Sequence, residues 1–340
     1  MDGTGVVLLG GSAGAMEALT SVVAGLAPDL PATVMVTVHV SEGARSRLPA
    51  ILARAGPLPA AHARDGEPLE PGRIHVAPPG AHLLVDDGCA RLSRGPRVNR
   101  HRPALDVMFA SAARWAGGRS VAVVLSGVLD DGAVGSALVA RAGGRVLVQD
   151  PEEAPFSSMP RAALAAAPGA VALPARSLGG EVTAVMARQV QVPARRGGEQ
   201  AISETPMYSS ADTGFLAGDE SRLTRLACPE CGGGLAAVDL DRISYYRCHL
   251  GHRFGPRSLE SAQRENVEAK LWAALAALEE HAVVARRLSE LTQQDAGGSA
   301  AYRAAARRSA DRAHWLRTRL QEQGEDLDEP PLARDRISSE

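Results

Sequence analysis

Lysine is almost missing from this chain: among 340 residues Lys270 is the single one. A phosphate-binding P-loop needs a lysine at the start of its helix. Its absence from the glycine-rich N-terminal region excludes that motif there, together with a Ser-Lys dyad and Schiff-base chemistry. Aromatic residues make up only 3%, so a chain that is 45% hydrophobic must build its core from Ala, Val and Leu. No apolar run reaches the ~18 residues a membrane helix needs, and the N-terminus has neither the basic nor the apolar region of a signal peptide. The expectation is a cytoplasmic protein with no direct membrane insertion. Four cysteines, three of them clustered, are too few for a disulfide framework and fit a reducing compartment. A net charge of -2 gives no global attraction to nucleic acid, which is not expected as a partner.

What is present begins with Gly5-Val6-Val7-Leu8-Leu9-Gly10-Gly11-Ser12-Ala13-Gly14. The apolar run reads as a strand buried on both faces, and Ala13 to Ala24 carries apolar residues at helical spacing. Ser12 falls on the turn between them. Gly10, Ser12 and Gly14 match G-x-S-x-G, in which glycines allow a sharp strand-to-helix elbow that lifts a serine hydroxyl above the sheet edge. A glycine-rich turn of this kind also fits anion binding or close packing alone. A dinucleotide fingerprint fits poorly, because Ser12 or Ala13 occupies its third position in either register.

The β-branched run Ala32 to Val38 reads as a second strand with His39 at its carboxyl end. Strand, helix, strand implies a parallel pair, which brings Ser12 and His39 to one rim, where open α/β sheets keep their sites. Arg45 to Ala55 reads as a helix. Gly72 to Pro78 and His82 to Leu92 are short alternating segments, the second with a turn at Asp87-Gly88, and read as a β-hairpin beside the sheet. Cys89 on that hairpin has no metal-spaced partner. Pro103 to Trp115 reads as a helix, Ser120 to Ser126 as a further buried strand, and Gly127 to Gly135 as a loop with the acidic pair Asp130-Asp131 at a third strand end. Such a pair also fits a helix N-cap. Arg145 to Gln149 and a helix around Pro160 to Ala166 complete another parallel unit.

Serine, histidine and aspartate at three strand ends of one rim form a constellation for nucleophilic acyl transfer. The chain order Ser, His, Asp differs from the Ser, Asp/Glu, His order of α/β-hydrolases and disfavours an ordinary lipase or esterase.

Residues from about Gly5 to Ala187 resemble the catalytic domain of the CheB-type protein-glutamate methylesterases, hydrolases of bacterial chemosensory pathways. The resemblance rests on Gly10-Gly11-Ser12-Ala13-Gly14, on His39 after its strand, and on His75-Val76-Ala77-Pro78-Pro79-Gly80-Ala81-His82-Leu83. It rests further on Arg102-Pro103-Ala104-Leu105-Asp106, on Leu125-Ser126-Gly127 through Asp131-Gly132-Ala133, and on Gln149-Asp150 through Met159-Pro160. It implies a doubly wound, mainly parallel α/β domain with Ser12 as nucleophile, His39 as base and Asp131, not Asp130, as orienting carboxylate. By the same matching the backbone N–H groups of Ala13 and Val128 are oxyanion donors. No cofactor is implied for catalysis. The implied reaction is hydrolysis of glutamate γ-methyl esters on the cytoplasmic helices of methylated chemoreceptors, releasing methanol, with glutamine deamidation as a side activity. Ala13 stands where the family often has threonine, and Val128-Leu129 replaces its usual Met-Gly. The family's N-terminal receiver domain is expected to be lacking, because the chain opens on the catalytic strand.

Beyond a polar, Gly/Ser/Arg-rich stretch read as a flexible linker, Cys228-Pro229-Glu230-Cys231 and Cys248-His249-Leu250-Gly251-His252 give C-x2-C-x16-C-x3-H. The spacing suits one structural tetrahedral Zn2+ on Cys228, Cys231, Cys248 and His252 in a small ribbon, with His249 the poorer fourth ligand. Apolar stripes at Val267, Leu271, Leu275, Leu278, Ala282, Ala285 and Leu288, and at Tyr302, Ala306, Ala313, Leu316 and Leu320, read as two amphipathic helices broken at Gly297-Gly298. They form a helical hairpin open to a signalling partner. The expected division is a catalytic domain at 1–188, linker at 189–222, ribbon at 223–257, helical hairpin at 258–323 and disordered tail at 324–340. The ribbon is expected to fold independently of the hydrolase, so that metal loss spares hydrolysis of a small ester. The competing reading is a non-catalytic zinc-bearing adaptor in a chemosensory complex.

Overall fold

The computed structural model describes residues 5–43, 46–189, 222–292 and 296–326. Nearly all of the linker, Arg45 and the tail beyond residue 326 lie outside the described residues, and the helix expected from Arg45 runs over Leu48–Ala55. The chain divides into two compact units, Met1–Ala262 and Gln263–Glu340.

The first unit is built on seven parallel strands in the order β3-β4-β2-β1-β7-β8-β9: β1 (Gly5–Gly11), β2 (Ala32–Val38), β3 (Ala60–His62), β4 (Ile74–Val76), β7 (Ser120–Val124), β8 (Arg145–Gln149) and β9 (Val171–Leu173). All seven residues of β1 and of β2 are buried, as strands covered on both faces require. Val6, Leu8, Val124 and Val148 point into one layer with the helix Leu105–Ala116, while Val7, Leu9, Val123 and Leu147 point into the other with the helix Ala15–Ala24. Strand order runs one way from β1 to β3 and the other way from β1 to β9. The reversal lies between β1 and β7, the crevice where doubly wound sheets hold their sites. Since β2, β1 and β7 are neighbours, their carboxyl ends deliver Ser12, His39 and residues 125–131 side by side.

The hairpin differs from its sequence reading in one part. His82–Asp86 and Cys89–Ser93 pair antiparallel through Asp87 and Gly88, both at positive φ, but Ile74–Val76 joins the main sheet parallel to β2. Three residues are too short for alternation to tell an edge hairpin strand from a buried parallel one.

Four antiparallel strands, Arg222–Ala227, Gly234–Leu240, Ile243–Cys248 and Arg253–Phe254, form the ribbon. It does not stand apart from the α/β domain, contrary to the independence expected from the linker. Its Val238, Leu240 and Tyr245 belong to the same buried cluster as Met108, Phe109, Val134 and Leu138. A small ribbon has little apolar interior of its own, and sharing the core of the α/β domain removes these side chains from water.

The long helix Pro256–Leu291 starts in the first unit; from Gln263 on it belongs to the second, where it pairs antiparallel with the helix Ala296–Asp326 over Leu275, Ala313 and Leu320. His281 meets Ser309, and Ser299 donates to the Ser289 carbonyl oxygen. Most of the expected stripe is this seam, but Val267, Leu288 and Tyr302 are exposed. Gly297 and Gly298 lie inside the second helix, which runs past Gly324. No described helix is long and apolar enough to cross a membrane.

The shared core yields a first expectation. Leu240→Ala removes a buried side chain and lowers the stability of the α/β domain by roughly 2 kcal/mol or more. Hydrogen exchange in the Ile243–Cys248 strand and in the Leu105–Ala116 helix rises together. Faster exchange confined to the ribbon would contradict a common core.

Candidate active site and cysteine cluster

Gly14, in the left-handed region at φ 71, turns the chain from β1 into the helix Ala15–Ala24 and leaves Ser12 at the tip. The elbow is braced from β7. Ser12 N–H donates to the Ser126 carbonyl oxygen (2.9 Å), and Ser126 Oγ donates to the Ala13 carbonyl oxygen (2.8 Å) while accepting from Phe156 N–H (3.0 Å). Ser126 is itself fixed by its N–H on Gln149 Oε1 at 2.9 Å. Among the described residues, neither Ala13 N–H nor Val128 N–H has an acceptor, so both remain available as donors.

His39 Nδ1 lies 3.0 Å from Ser12 Oγ and His39 Nε2 lies 2.7 Å from Asp131 Oδ2. A carboxylate only accepts, so Nε2 carries the hydrogen and the Nδ1 lone pair faces the serine. The two nitrogens are used in the reverse order from the serine-protease arrangement. His101 stacks on His39 with ring centroids 3.6 Å apart and planes 11° apart. Burial, and then the charge of His39, push His101 down to about 4, so a neutral ring covers one face of the base.

Asp131 is 2% exposed and accepts three hydrogen bonds besides that of His39. Leu105 N–H reaches Oδ2 at 2.7 Å, while Asp106 N–H at 3.2 Å and the Asn99 side-chain amide at 2.9 Å reach Oδ1. The first two are free N–H groups at the start of the helix Leu105–Ala116, whose dipole favours a negative charge there. Burial alone raises the Asp131 carboxyl. The hydrogen bond and charge of His39, with the Leu105 and Asn99 donors, outweigh it and hold Asp131 well below the usual carboxylate range. Asp106 goes the other way: burial, and then the neighbouring charge of Asp131, push it well above that range. The negative charge is thereby concentrated on the carboxylate that faces the imidazole.

Sequence reasoning named Ser12, His39 and Asp131, and the structure brings them together. It did not name Asn99, His101 or Ser126 for any role, and it quoted Leu105, Asp106 and Gln149 only within resembling motifs. Asn99 and Arg100 have φ 51 and 68 in an irregular loop, where periodicity carries no signal. Asp130, set aside in favour of Asp131, faces elsewhere and accepts from Arg257 N–H and Ser258 N–H at 2.8 and 3.1 Å.

The four expected metal ligands also converge. The ligand atoms of Cys228, Cys231, Cys248 and His252 lie within 4.8 Å of one another. Cys231 Sγ is 3.7 Å from Cys248 Sγ, which is 3.4 Å from His252 Nδ1. A tetrahedron with Zn–S of about 2.3 Å and Zn–N of about 2.0 Å has edges of about 3.5 to 3.8 Å, so the donor set fits zinc. His249 lies outside the cluster, over Gly233.

A sequence profile of the CheB methylesterase family matches residues 7–182, more than half of the chain. A protein-glutamate methylesterase/protein-glutamine glutaminase of Anaeromyxobacter dehalogenans is 42% identical over 159 residues, covering 47% of each protein. Another, from Myxococcus xanthus, is 41% identical over 157 residues, covering 46% of this chain and 44% of the relative. The chain thus spans about half the length of these curated relatives. The crystal structure of the Thermotoga maritima CheB methylesterase catalytic domain is 28% identical with a TM-score of 0.50, over 54% of this chain and 98% of that one.

The buried imidazoles give a pH expectation. His82 is pushed down to about 4 by burial, against the raising effect of its bond to the Pro96 carbonyl oxygen, and His101 likewise falls to about 4. Both folded values lie below the ordinary value of about 6.5. The unfolded chain therefore takes up these protons first, and stability that is intact above about pH 6.5 is lost as pH falls toward about 4. The melting temperature drops by several degrees from pH 7 to 5, and His82→Gln makes the drop shallower. An identical drop in the variant would sink the assignment for His82.

Proposed function

Because the chain belongs to the CheB methylesterase family, we propose that it hydrolyses glutamate γ-methyl esters on the cytoplasmic helices of methyl-accepting chemoreceptors and deamidates glutamines with the same site. The observation that carries this reading is the Ser12–His39–Asp131 chain, with contacts of 3.0 and 2.7 Å. Ser12 Oγ attacks the ester carbonyl carbon while its proton passes to His39 Nδ1. The resulting oxyanion lies toward Ala13 N–H and Val128 N–H, and Asp131 stabilises the imidazolium. Collapse expels the methoxy group, which leaves as methanol with the proton from Nδ1. Water, activated by the neutral imidazole, then releases the glutamate carboxylate. With a glutamine side chain the same steps expel ammonia.

The Cys3His cluster binds one structural zinc ion, since four protein ligands leave no open position for chemistry. The helical hairpin, with Trp272, Val283, Val284 and Trp315 exposed, serves as the surface for a signalling partner. Receptor tails and partner both belong to the cytoplasm.

Methanol release from methylated receptor membranes tests the reading. Ser12→Ala and His39→Ala each lower turnover by about 10⁴ to 10⁶ without unfolding the domain, because triad members act as a unit. A serine-directed phosphonate labels Ser12 in the wild type, and near-normal turnover in Ser12→Ala would refute the mechanism. The acid limb of the pH profile is a second check. Asp131 and His101 keep their charge states well into acid, the first held below the carboxylate range and the second at about 4. Neither therefore adds a proton to the loss of kcat/KM above about pH 5, whose slope on a logarithmic plot does not exceed one. A slope of two would mean that another group of the site titrates with it.

A further inference from the structure

The last ribbon strand runs directly into the carboxylate pair of the site. Val98 bridges to Arg253, Asn99 N–H donates to the Arg253 carbonyl oxygen at 2.8 Å, and Gly255 N–H donates to Asn99 Oδ1 at 2.7 Å. The Asn99 amide nitrogen then spends its two hydrogens on Asp131 Oδ1 at 2.9 Å and Asp106 Oδ2 at 2.8 Å. Asn99 is 1% exposed. Its orientation admits no flip, because a main-chain N–H must meet its oxygen and carboxylates must meet its nitrogen. Next door, Asp130 accepts Arg257 N–H, Ser258 N–H and the Ser258 hydroxyl, which caps the first turn of the helix Pro256–Leu291. Gly255 sits against it so closely that a Cβ would fall 2.5 Å from Asp130 Oδ2. Both members of the acidic pair therefore end on residues 253–258, Asp130 directly and Asp131 through Asn99.

We propose that this ribbon-to-helix junction positions the Asp131 carboxylate on His39, with Asn99 as the positioning residue, and that metal held by the ribbon keeps the junction engaged. The proposal rests on the triad reading above and adds a regulator to it. Arg253 follows His252 immediately, and Cys248 N–H donates to the His252 carbonyl oxygen at 3.0 Å, so the cysteine knuckle sets the start of the two-residue strand. The strand is only two residues long, and its Phe254 is buried in one small cluster with Cys228 and Cys248, so knuckle and strand hold their places together. An opened knuckle frees Arg253 and Gly255 from Asn99, and Asp131 loses a charge-assisted donor while its carboxylate stays buried. The ribbon is then a control element built in cis, where the sequence suggested a separate module whose metal is irrelevant to small-ester hydrolysis.

The test uses the full chain, a chromogenic acetate ester, and the far-downfield proton signal of His39 Nε2–H. Asn99→Ala lowers kcat about 10- to 100-fold, the worth of one hydrogen bond to a charged group, with little change in KM. It also shifts or broadens the His39 signal. Gly255→Ala, which forces the junction away from Asp130, moves both readouts in the same direction while bound zinc stays at one equivalent. Chelation of the wild type releases zinc, lowers kcat and weakens the His39 signal, and added Zn2+ restores all three. A metal-free protein with wild-type kcat and an unchanged His39 signal would overturn the proposal, as would a Gly255→Ala protein unaltered in both. If Asn99→Ala does not fold, Gly255→Ala and chelation still decide. If the wild type hydrolyses no ester and Ser12 escapes the phosphonate, the triad reading fails. The response of the His39 signal to metal then judges the junction alone.

Discussion

A single buried negative charge governs the architecture around the site. Asp131 has almost no access to water, and an unpaired carboxylate in such a place would change protonation state before it would stay charged. Its four hydrogen-bond donors come from three places: His39 at the end of β2, two N–H groups opening the Leu105–Ala116 helix, and the amide of Asn99. Each donor lies on a different turn of the fold from the loop that carries Asp131. Holding the charge therefore requires β2, the helix start and the loop before it to be placed together. The same geometry fixes the imidazole tautomer that the serine needs.

The neighbouring carboxylate solves a related problem differently. Asp130 is also buried, and burial raises it, against the lowering effect of the Ser258 hydroxyl and the two main-chain N–H groups. Consecutive acidic residues thus occupy the N-termini of two helices, one inside the hydrolase and one leaving it. Their repulsion is offset because each meets its own set of free N–H groups. This arrangement ties the loop whose Asp131 meets His39 to the start of the helix Pro256–Leu291.

Much of this was legible in the sequence because strands buried on both faces leave continuous apolar runs, as in Val6 to Leu9 and Val121 to Leu125. The ends of such strands in a parallel sheet must share a rim. That logic reached Ser12, His39 and the acidic pair. It did not reach Asn99, whose function depends on a left-handed loop conformation and on a strand more than 150 residues away. Nor did it reach the docking of the ribbon. Val238, Leu240 and Tyr245 alternate with polar residues as any half-buried hairpin does, and alternation says that a face is covered without saying by what. The cysteine spacing was legible for a different reason, since short ligand pairs close around an ion locally and need no knowledge of the rest of the fold.

The loop from Val128 to Asp131 concentrates these demands. Leu129 holds φ 65, a left-handed conformation that costs a β-carbon-bearing residue about 1 kcal/mol. Such a backbone persists only where its flanks over-determine it. Here they do. Gly127 N–H is held on the Phe156 carbonyl oxygen at one end, and at the other end Asp130 and Asp131 are anchored by separate helices. Between those anchors lies Val128, whose N–H has no acceptor among the described residues. A main-chain N–H without an acceptor among the described residues, the carboxylate that meets His39 and a helix cap thus ride on one strained turn. A displacement that loosens the cap has a short path to the other two, because the backbone between them has no slack to absorb it.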